Sequence, residues 1–425
     1  MGDELSDYRR ALEFLFARTT GQWKLGLDRV EAFLHRMGDP HRAVPVVHIA
    51  GTNGKGSVCA TLDAVLRARG LRVARYTSPH LVDFTERFLI DGAPVPAEWI
   101  TAWIREWTGD VEATGATFFE ATTAMAFTFF ARAGVDVAVI ETGMGGRLDA
   151  TNVVDPLVAG VTNIGLDHQE FLGATRELIA AEKAGIFKPG RPAVVGEPES
   201  AIRAQLMELA AMHGASSIDE VQGGAGVSDV VTDALGTSFR WRGRGYRTPL
   251  VGAHQAANAA TALAMLNALP TSLRPTTEAV DRGLRAVRLP GRFHHVGRTI
   301  FDVAHNPDGA QVLADTLRAV RPAGAVTAVL SVLGDKDWAG ILARLAPVVS
   351  RFVLTEAPSA PASRAWRVRE VAAHCAAEGI PAEVETDLGA AIARADRLGS
   401  TTLITGSFHT VGDAMALLAV SPTAG

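Results

Sequence analysis

Two cysteines in 425 residues, Cys59 and Cys375, stand far apart and without C-x-x-C spacing. That scarcity argues against a disulfide framework or a cysteine-based zinc site, and it fits a reducing cytosol. Basic charge is not in excess either. Lys and Arg number 41 against 46 Asp and Glu, a net charge of −5. Such a balance gives no electrostatic reason to expect a nucleic-acid partner. Long apolar runs are missing as well. The apolar stretch AANAATALAMLNAL (256–269) is too short and too rich in Asn and Ala to span a bilayer, so no membrane partner is expected. The N-terminal MGDELSDYRR lacks the basic flank and apolar core of a secretory signal. Its formal match to M-G-x-x-x-[ST], through Gly2 and Ser6, recurs by chance and has two acids inside it. Repeats and low-complexity tracts are absent. What remains is a soluble, cytoplasmic, globular chain, 48% hydrophobic and 20% charged. Its length exceeds what one core usually organises, so two domains are expected.

Short β-branched runs alternate with helical patterns. VPVVHIA (44–50), VDVAVIET (135–142) and PLVAGVTNI (156–164) read as buried strands, because their apolar residues run on without alternation. Between the first two, SVCATLDAVLRARG reads as a helix. Val58, Leu62, Val65 and Leu66 share a face, and Gly70 stands where a C-terminal cap belongs. Strand, crossover helix and parallel strand imply an α/β sheet covered on both faces. A glycine-rich middle region (214–250) reads as peripheral hairpins at the end of the first domain. Leu289-Pro290-Gly291 reads as a linker, since proline and glycine break both neighbouring patterns. Beyond it the alternation restarts, with strands at 299–305, 325–334, 351–357, 381–386 and 401–407. The expected division is an N-terminal domain over 1–289 and a smaller doubly wound, Rossmann-like domain over 290–425.

The stretch VPVVHIAGTNGKGSVCATL carries the clearest chemistry. A buried strand ends at Ala50, glycines follow, and a helix starts near Ser57. Glycines allow backbone angles that aim successive N–H groups inward, and a helix N-terminus adds partial positive charge. Lys55 can neutralise β- and γ-phosphate charge, and the Ser57 hydroxyl can ligate Mg²⁺. The spacing is not the usual G-x-x-x-x-G-K-[ST]: only two residues separate Gly51 from Gly54, and Gly56 follows Lys55. In VDVAVIETGMGGRLDATN, Glu141 ends a second buried strand. A carboxylate there faces the crevice where ligands bind in open α/β sheets, and Mg²⁺ favours a few such oxygens plus phosphate.

The loop GTNGKGS closely resembles that of the Mur ligase superfamily, and the resemblance then extends along the chain. KLGLDRVEAFLHRMGDPHRAVPVVHIAGTNGKGS, YTSPHLVDFTERFLIDG, VIETGMGGRLDATNVV, TNIGLDHQEFLG, EKAGIFKPGRPAVVGEPE, LPGRF, IFDVAHNPDGA and TGSFHTVGDAM resemble, in order and spacing, the folylpolyglutamate synthase/dihydrofolate synthase family. The resemblance implies a Mur-ligase-like P-loop ATPase domain followed by a Rossmann-like α/β domain. It also implies that Gly51, Thr52, Asn53, Gly54, Lys55, Gly56 and Ser57 bind ATP, with Asn258 near adenine. His254 belongs to the same motif, and Arg292 and Asp302 match positions that hold the ATP phosphates and ribose. Ser57, Ser78 and Glu141 would serve one Mg²⁺ and His168 a second, with Lys183 carbamylated by CO₂ into an anion that helps position metal. Thr117, Phe119 and Glu120, with Arg147, Asp149 and Ala150, match segments lining the pterin or folate site. Phe127 and Phe129 read as core. His305 and Ser407 are implied to lie near the incoming glutamate. Lys336, in the family-typical GDKD run, receives no specific chemistry.

These parts imply an ATP-dependent ligase whose substrates are ATP, L-glutamate and dihydropteroate or reduced folates. A carboxylate is phosphorylated to an acyl phosphate and then attacked by the glutamate amine. Both dihydrofolate synthase and folylpolyglutamate synthase activities are expected, and the resemblance suggests a monomer. Two other readings fit less well. A Mur-type peptidoglycan ligase should carry a UDP-binding domain before the loop, where about 43 residues stand. A non-catalytic P-loop switch leaves Glu141, His168, Lys183 and the second α/β domain unexplained, and no N-K-x-D motif is evident.

Overall fold

The computed structural model describes residues 2–19, 26–224 and 226–422. Residues 24 and 25, which open the KLGLDRVE stretch, and residue 225 in the glycine-rich middle lie outside them. Two compact units are present. The first comprises Met1–Ser78, Thr85–Val227 and Ala257–Ala286; the second comprises Pro79–Phe84, Ser228–Ala256 and Val287–Gly425.

The first unit is built on eight strands: β1 Val46–Ala50, β2 Val73–Tyr76, β3 Phe88–Ile90, β4 Ala93–Pro94, β5 Val137–Glu141, β6 Val158–Val161, β7 Pro192–Val195 and β8 Ser217–Glu220. Their order across the sheet is β4-β3-β2-β5-β1-β6-β7-β8. From β2 to β8 every pairing is parallel, and β3 and β4 extend one edge as antiparallel strands. Every residue of β1 and β5 is buried, as their unbroken apolar runs require of a sheet covered on both faces. Register pairs Ile49 with Glu141 and Ala50 with Val161, so the carboxyl ends of β5, β1 and β6 lie side by side.

The helix read after β1 is Lys55–Ala68, and Gly70 closes it in the left-handed region at φ 92°. Its burial is not one-sided: Ser57 through Leu66 are all buried. The reason is a second layer. Helix Thr277–Ala286 lies against it, and Gly283 allows the approach, since a Cβ there would stand 2.4 Å from the Val65 Cα. A further core joins Val161, Ile179, Phe187, Val195, Ile202 and Leu206 beneath helices Arg176–Ala184 and Ser200–Met212.

In the second unit, β9 Ser228–Asp233, β10 Gly236–Trp241 and β11 Arg244–Thr248 form an antiparallel sheet. These hairpins, expected at the end of the first domain, cluster instead with the second unit, where Phe239 and Trp241 are buried. The main sheet contains β12 His294–Val296, β13 Thr299–Asp302, β14 Val326–Leu330, β15 Arg351–Leu354, β16 Ala382–Val384 and β17 Thr401–Thr405, in the order β12-β13-β17-β14-β15-β16. Only the β12–β13 pairing is antiparallel. Alternate residues feed two cores. Ile300, Ala328, Leu330, Phe352 and Leu403 pack on one face, and Phe301, Val329, Val353 and Ile404 on the other. This is the period of two that a doubly covered strand imposes.

Candidate active site

The loop after β1 is laced to the segment after β6. Thr52 N donates to the Asn163 carbonyl at 2.8 Å, Asn53 N to Asn163 Oδ1 at 2.8 Å, and Thr162 Oγ1 to the Asn53 carbonyl at 2.6 Å. Gly51 runs at φ 149°, and a Cβ there would stand 1.8 Å from Thr162 Oγ1. Gly54 sits at φ 86° against Asn258, whose Oδ1 would be 2.4 Å from an added Cβ. Neither position admits a side chain. Lys55 then opens the helix. Its Nζ donates to the Gly51 and Thr52 carbonyls at 3.0 and 3.2 Å, curled over the loop. Gly56 and Ser57 complete the first turn, with Ser57 buried.

Lys183, on helix Arg176–Ala184, is buried and also donates to the Gly51 carbonyl, at 3.0 Å. Burial first, and the Lys55 ammonium second, push its amine down to about 7 from an ordinary 10.5. A neutral amine at that point is a nucleophile. Across the loop, Glu141 is buried, lies 3.9 Å from Lys55 Nζ, and takes the Ser78 amide at 3.3 Å. The neighbouring Thr142 hydroxyl is buried with no hydrogen-bond partner. Among the described residues no cluster of three or more His, Cys, Asp or Glu could hold a metal alone. That donor set suits Mg²⁺, which is content with one or two carboxylates and draws its other oxygens from phosphate and water. The fit is to an ion accompanied by a nucleotide. His168 takes the left-handed conformation, φ 52°, at the head of helix Gln169–Leu172, beside Asp167.

The glycine-rich segment after β5 folds around Asp149. Its Oδ2 accepts the Met144 amide at 2.8 Å and its Oδ1 the Thr151 amide at 3.0 Å; burial raises its carboxyl above the ordinary range. Arg147 reaches outward to Glu182 at 2.7 Å, and Ala150 opens a short helical turn. Thr117 and Glu120 form a capping box on helix Phe118–Ala133, their side chains and amides exchanging bonds of 3.3 and 2.8 Å. Glu120 also pairs with Arg29 at 3.0 Å. Only Phe119 of the three is left for other contacts, half-buried between Tyr76 and Gly143. Phe127 and Phe129 are core.

In the second unit, register sets Asp302 beside Thr405, so the carboxyl ends of β13 and β17 are adjacent. Asp302 accepts the Phe293 and Ala304 amides at 2.8 and 2.9 Å, and desolvation raises its carboxyl although Arg292 opposes this. The Arg292 guanidinium lies 5.2 Å from the Phe408 ring, and His305 packs on the same ring at 5.8 Å. Burial, then Arg292, push His254 down to about 4, so it is neutral at physiological pH. Asn306 and Ser407 cap helices Pro307–Val320 and Phe408–Leu417. Ser407 Oγ accepts the Thr410 amide at 3.0 Å and meets Thr410 Oγ1 at 2.7 Å.

Several residues that shape the site escaped the sequence reading. Asn163 and Thr162 hold the phosphate loop. Arg176 and the fully buried Glu197 grip Ile164 by its carbonyl and amide at 2.8 and 2.6 Å. His48, inside the apolar run of β1, was a visible signal, because a buried polar group demands a partner.

Two family models match the chain: Mur ligase middle domain over residues 49–266, and Mur ligase, glutamate ligase domain over residues 291–408. The dihydrofolate synthase/folylpolyglutamate synthase of Escherichia coli (strain K12) is 39% identical over 421 residues, covering 97% of this chain and 95% of its own length. The solved structure of E. coli FolC in complex with DHPP and ADP matches with a TM-score of 0.86 and 36% identity, over 97% of each chain. A bifunctional folylpolyglutamate synthase/dihydrofolate synthase with Mn, AMPPNP and L-glutamate bound matches with a TM-score of 0.80 and 37% identity, over 94% of this chain and 95% of that one.

Proposed function

The chain belongs to the dihydrofolate synthase/folylpolyglutamate synthase family, and from that premise we propose that it uses ATP to join L-glutamate to 7,8-dihydropteroate and to the glutamate tail of reduced folates. One observation carries the reading. A glycine loop with its lysine, a buried carboxylate and a second, buried lysine converge at the carboxyl ends of three adjacent parallel strands. Relatives with DHPP and ADP, or with Mn, AMPPNP and L-glutamate, support the substrate set.

The chemistry follows from the groups present. A carboxylate oxygen of the pteroate or folate attacks the γ-phosphorus, the bond to the β–γ bridging oxygen breaks, and ADP leaves. The glutamate amine, having lost its proton, attacks the acyl carbon; phosphate leaves and an amide remains. Lys55, now bonded to loop carbonyls, turns to the phosphates, and the amides of Lys55, Gly56 and Ser57 at the head of the helix face the anion. Ser57 and Glu141 would hold Mg²⁺, which when bound would supply charge neutralisation on the phosphoryl group. Arg292 adds positive charge toward the phosphates, Asp302 takes the ribose and Asn258 the adenine. Phe119 offers a ring face to the pterin beside Arg147, Asp149 and Ala150. His305 and the helix N-terminus at Ser407 receive the glutamate. Ser78, His168 and a carbamylated Lys183 would complete two metal sites. Residues 1–289, apart from the hairpins that cluster with the second unit, form the ATP-binding domain and 290–425 the glutamate ligase domain of a cytoplasmic monomer.

The test is glutamate-dependent ADP release with Mg²⁺ and bicarbonate, using 7,8-dihydropteroate and tetrahydrofolate separately, with products identified by mass. Turnover of both establishes a bifunctional enzyme. Turnover of one assigns a single activity, and turnover of neither overturns the substrate reading.

A further inference from the structure

His48 is the one polar residue of β1, three positions before Gly51 of the phosphate loop, and it has no exposed surface. Its Nε2 lies 2.8 Å from Thr151 Oγ1, on the far side of the segment that follows β5. Thr151 Oγ1 in turn lies 2.5 Å from Asp149 Oδ1, and the carboxylate accepts its proton. A hydroxyl has one proton to give. With that proton on Asp149, the contact to His48 requires the imidazole to donate from Nε2. The tautomer is therefore fixed, with Nδ1 buried and without a hydrogen-bond partner. Burial, helped by the charge of Lys188, pushes the ring down to about 3 and keeps it neutral.

The other end of this chain is a closed turn. Asp149 collects the amides of Met144 and Thr151 on its two oxygens, so one carboxylate gathers both ends of the 144–151 segment. Asn152 Nδ2 donates to the Arg147 carbonyl at 3.0 Å and stiffens the same turn. A buried, fully directed series of bonds rigidifies what it joins, because removing one member leaves a buried polar neighbour short of a partner.

We propose that His48 and Thr151 are positioning residues: the bonds from His48 through Thr151 to Asp149 fix the substrate-side loop to the strand that carries the phosphate loop. The consequence rests on the function proposed above, in which Arg147, Asp149 and Ala150 border the folate. The acceptor carboxylate is then delivered in register with the γ-phosphate by one strand that holds both loops.

Thr151→Val keeps the side chain's shape and deletes both bonds. The expected result is a KM for dihydropteroate raised at least tenfold, a KM for ATP within twofold of the parent, and faster amide exchange confined to residues 143–153. Thr151→Ser restores the parent values, and His48→Gln, whose amide can donate from a similar place, lies closer to the parent than His48→Leu. A dihydropteroate KM within twofold in Thr151→Val overturns the proposal. So does an equal rise in both KM values, or a serine variant as impaired as the valine one. If the parent protein turns over no dihydropteroate, the substrate reading has failed. The exchange comparison still decides the link in that case, since unchanged exchange at 143–153 in Thr151→Val overturns it.

Discussion

Lys183 is an amine whose surroundings remove its proton near neutral pH. Below about 7 it is an ammonium and cannot attack CO₂; above, the amine is neutral, and the carbamate proposed above would form from it with release of a proton. With bicarbonate limiting, kcat/KM should therefore rise with pH through about 7, and Lys183→Met should lose activity without regaining it at any pH. Stability carries the same sign. Between about 7 and 10.5 the unfolded chain binds the proton that the folded one does not, so this residue favours folding increasingly as pH rises across that window. Urea melts of parent and Lys183→Met across pH 7 to 10 check this, the parent gaining on the variant. The sequence showed this lysine only through a resemblance. Its depressed proton affinity depends on burial and on the approach of Lys55, which spacing along the chain does not encode. Glu141 was legible, because a carboxylate ending a wholly apolar strand has one place to go in a parallel sheet.

At the scale of elements, capping competes with function for the same side chains. Thr117 and Glu120 occupy each other's amides, which leaves Phe119 as the member of that triplet able to meet a flat ring. Thr117→Ala should cost about 1 kcal/mol of stability with a dihydropteroate KM within twofold of the parent. Phe119→Ala should raise that KM about tenfold. Thermal melts and steady-state kinetics on both variants separate the two roles. Helix Lys55–Ala68 gives another case. Its apolar face was readable, but not the second layer against its back. Gly283, isolated in an otherwise regular helical pattern, was the available sign of close packing. Gly283→Val drives a side chain into the Val65 backbone and should destabilise by about 1–3 kcal/mol, measurable by denaturant melts. All eight strands named from the sequence are present. Among those not named, Val73–Tyr76 and Pro192–Val195 are four-residue segments too short to show a period.

For the molecule as a whole, two units with separate cores should melt as separable transitions in calorimetry. AMPPNP with Mg²⁺ at about 100 times its dissociation constant should raise the transition of the first unit by about 2.7 kcal/mol. A scan with and without nucleotide checks which transition moves. The route of the chain has a further effect, during synthesis. β2 follows β1 in sequence, yet its place in the sheet is beyond β5, so the slot between them stays vacant until residue 141 has been made. The helix that covers Val65 arrives later still, at Thr277–Ala286, after the hairpins of the other unit have left the ribosome. The first unit cannot mature before the second has begun. Nascent chains halted near residue 227 would carry a bare apolar helix and invite chaperones, whereas those halted just past residue 286 would hold every segment the first unit needs.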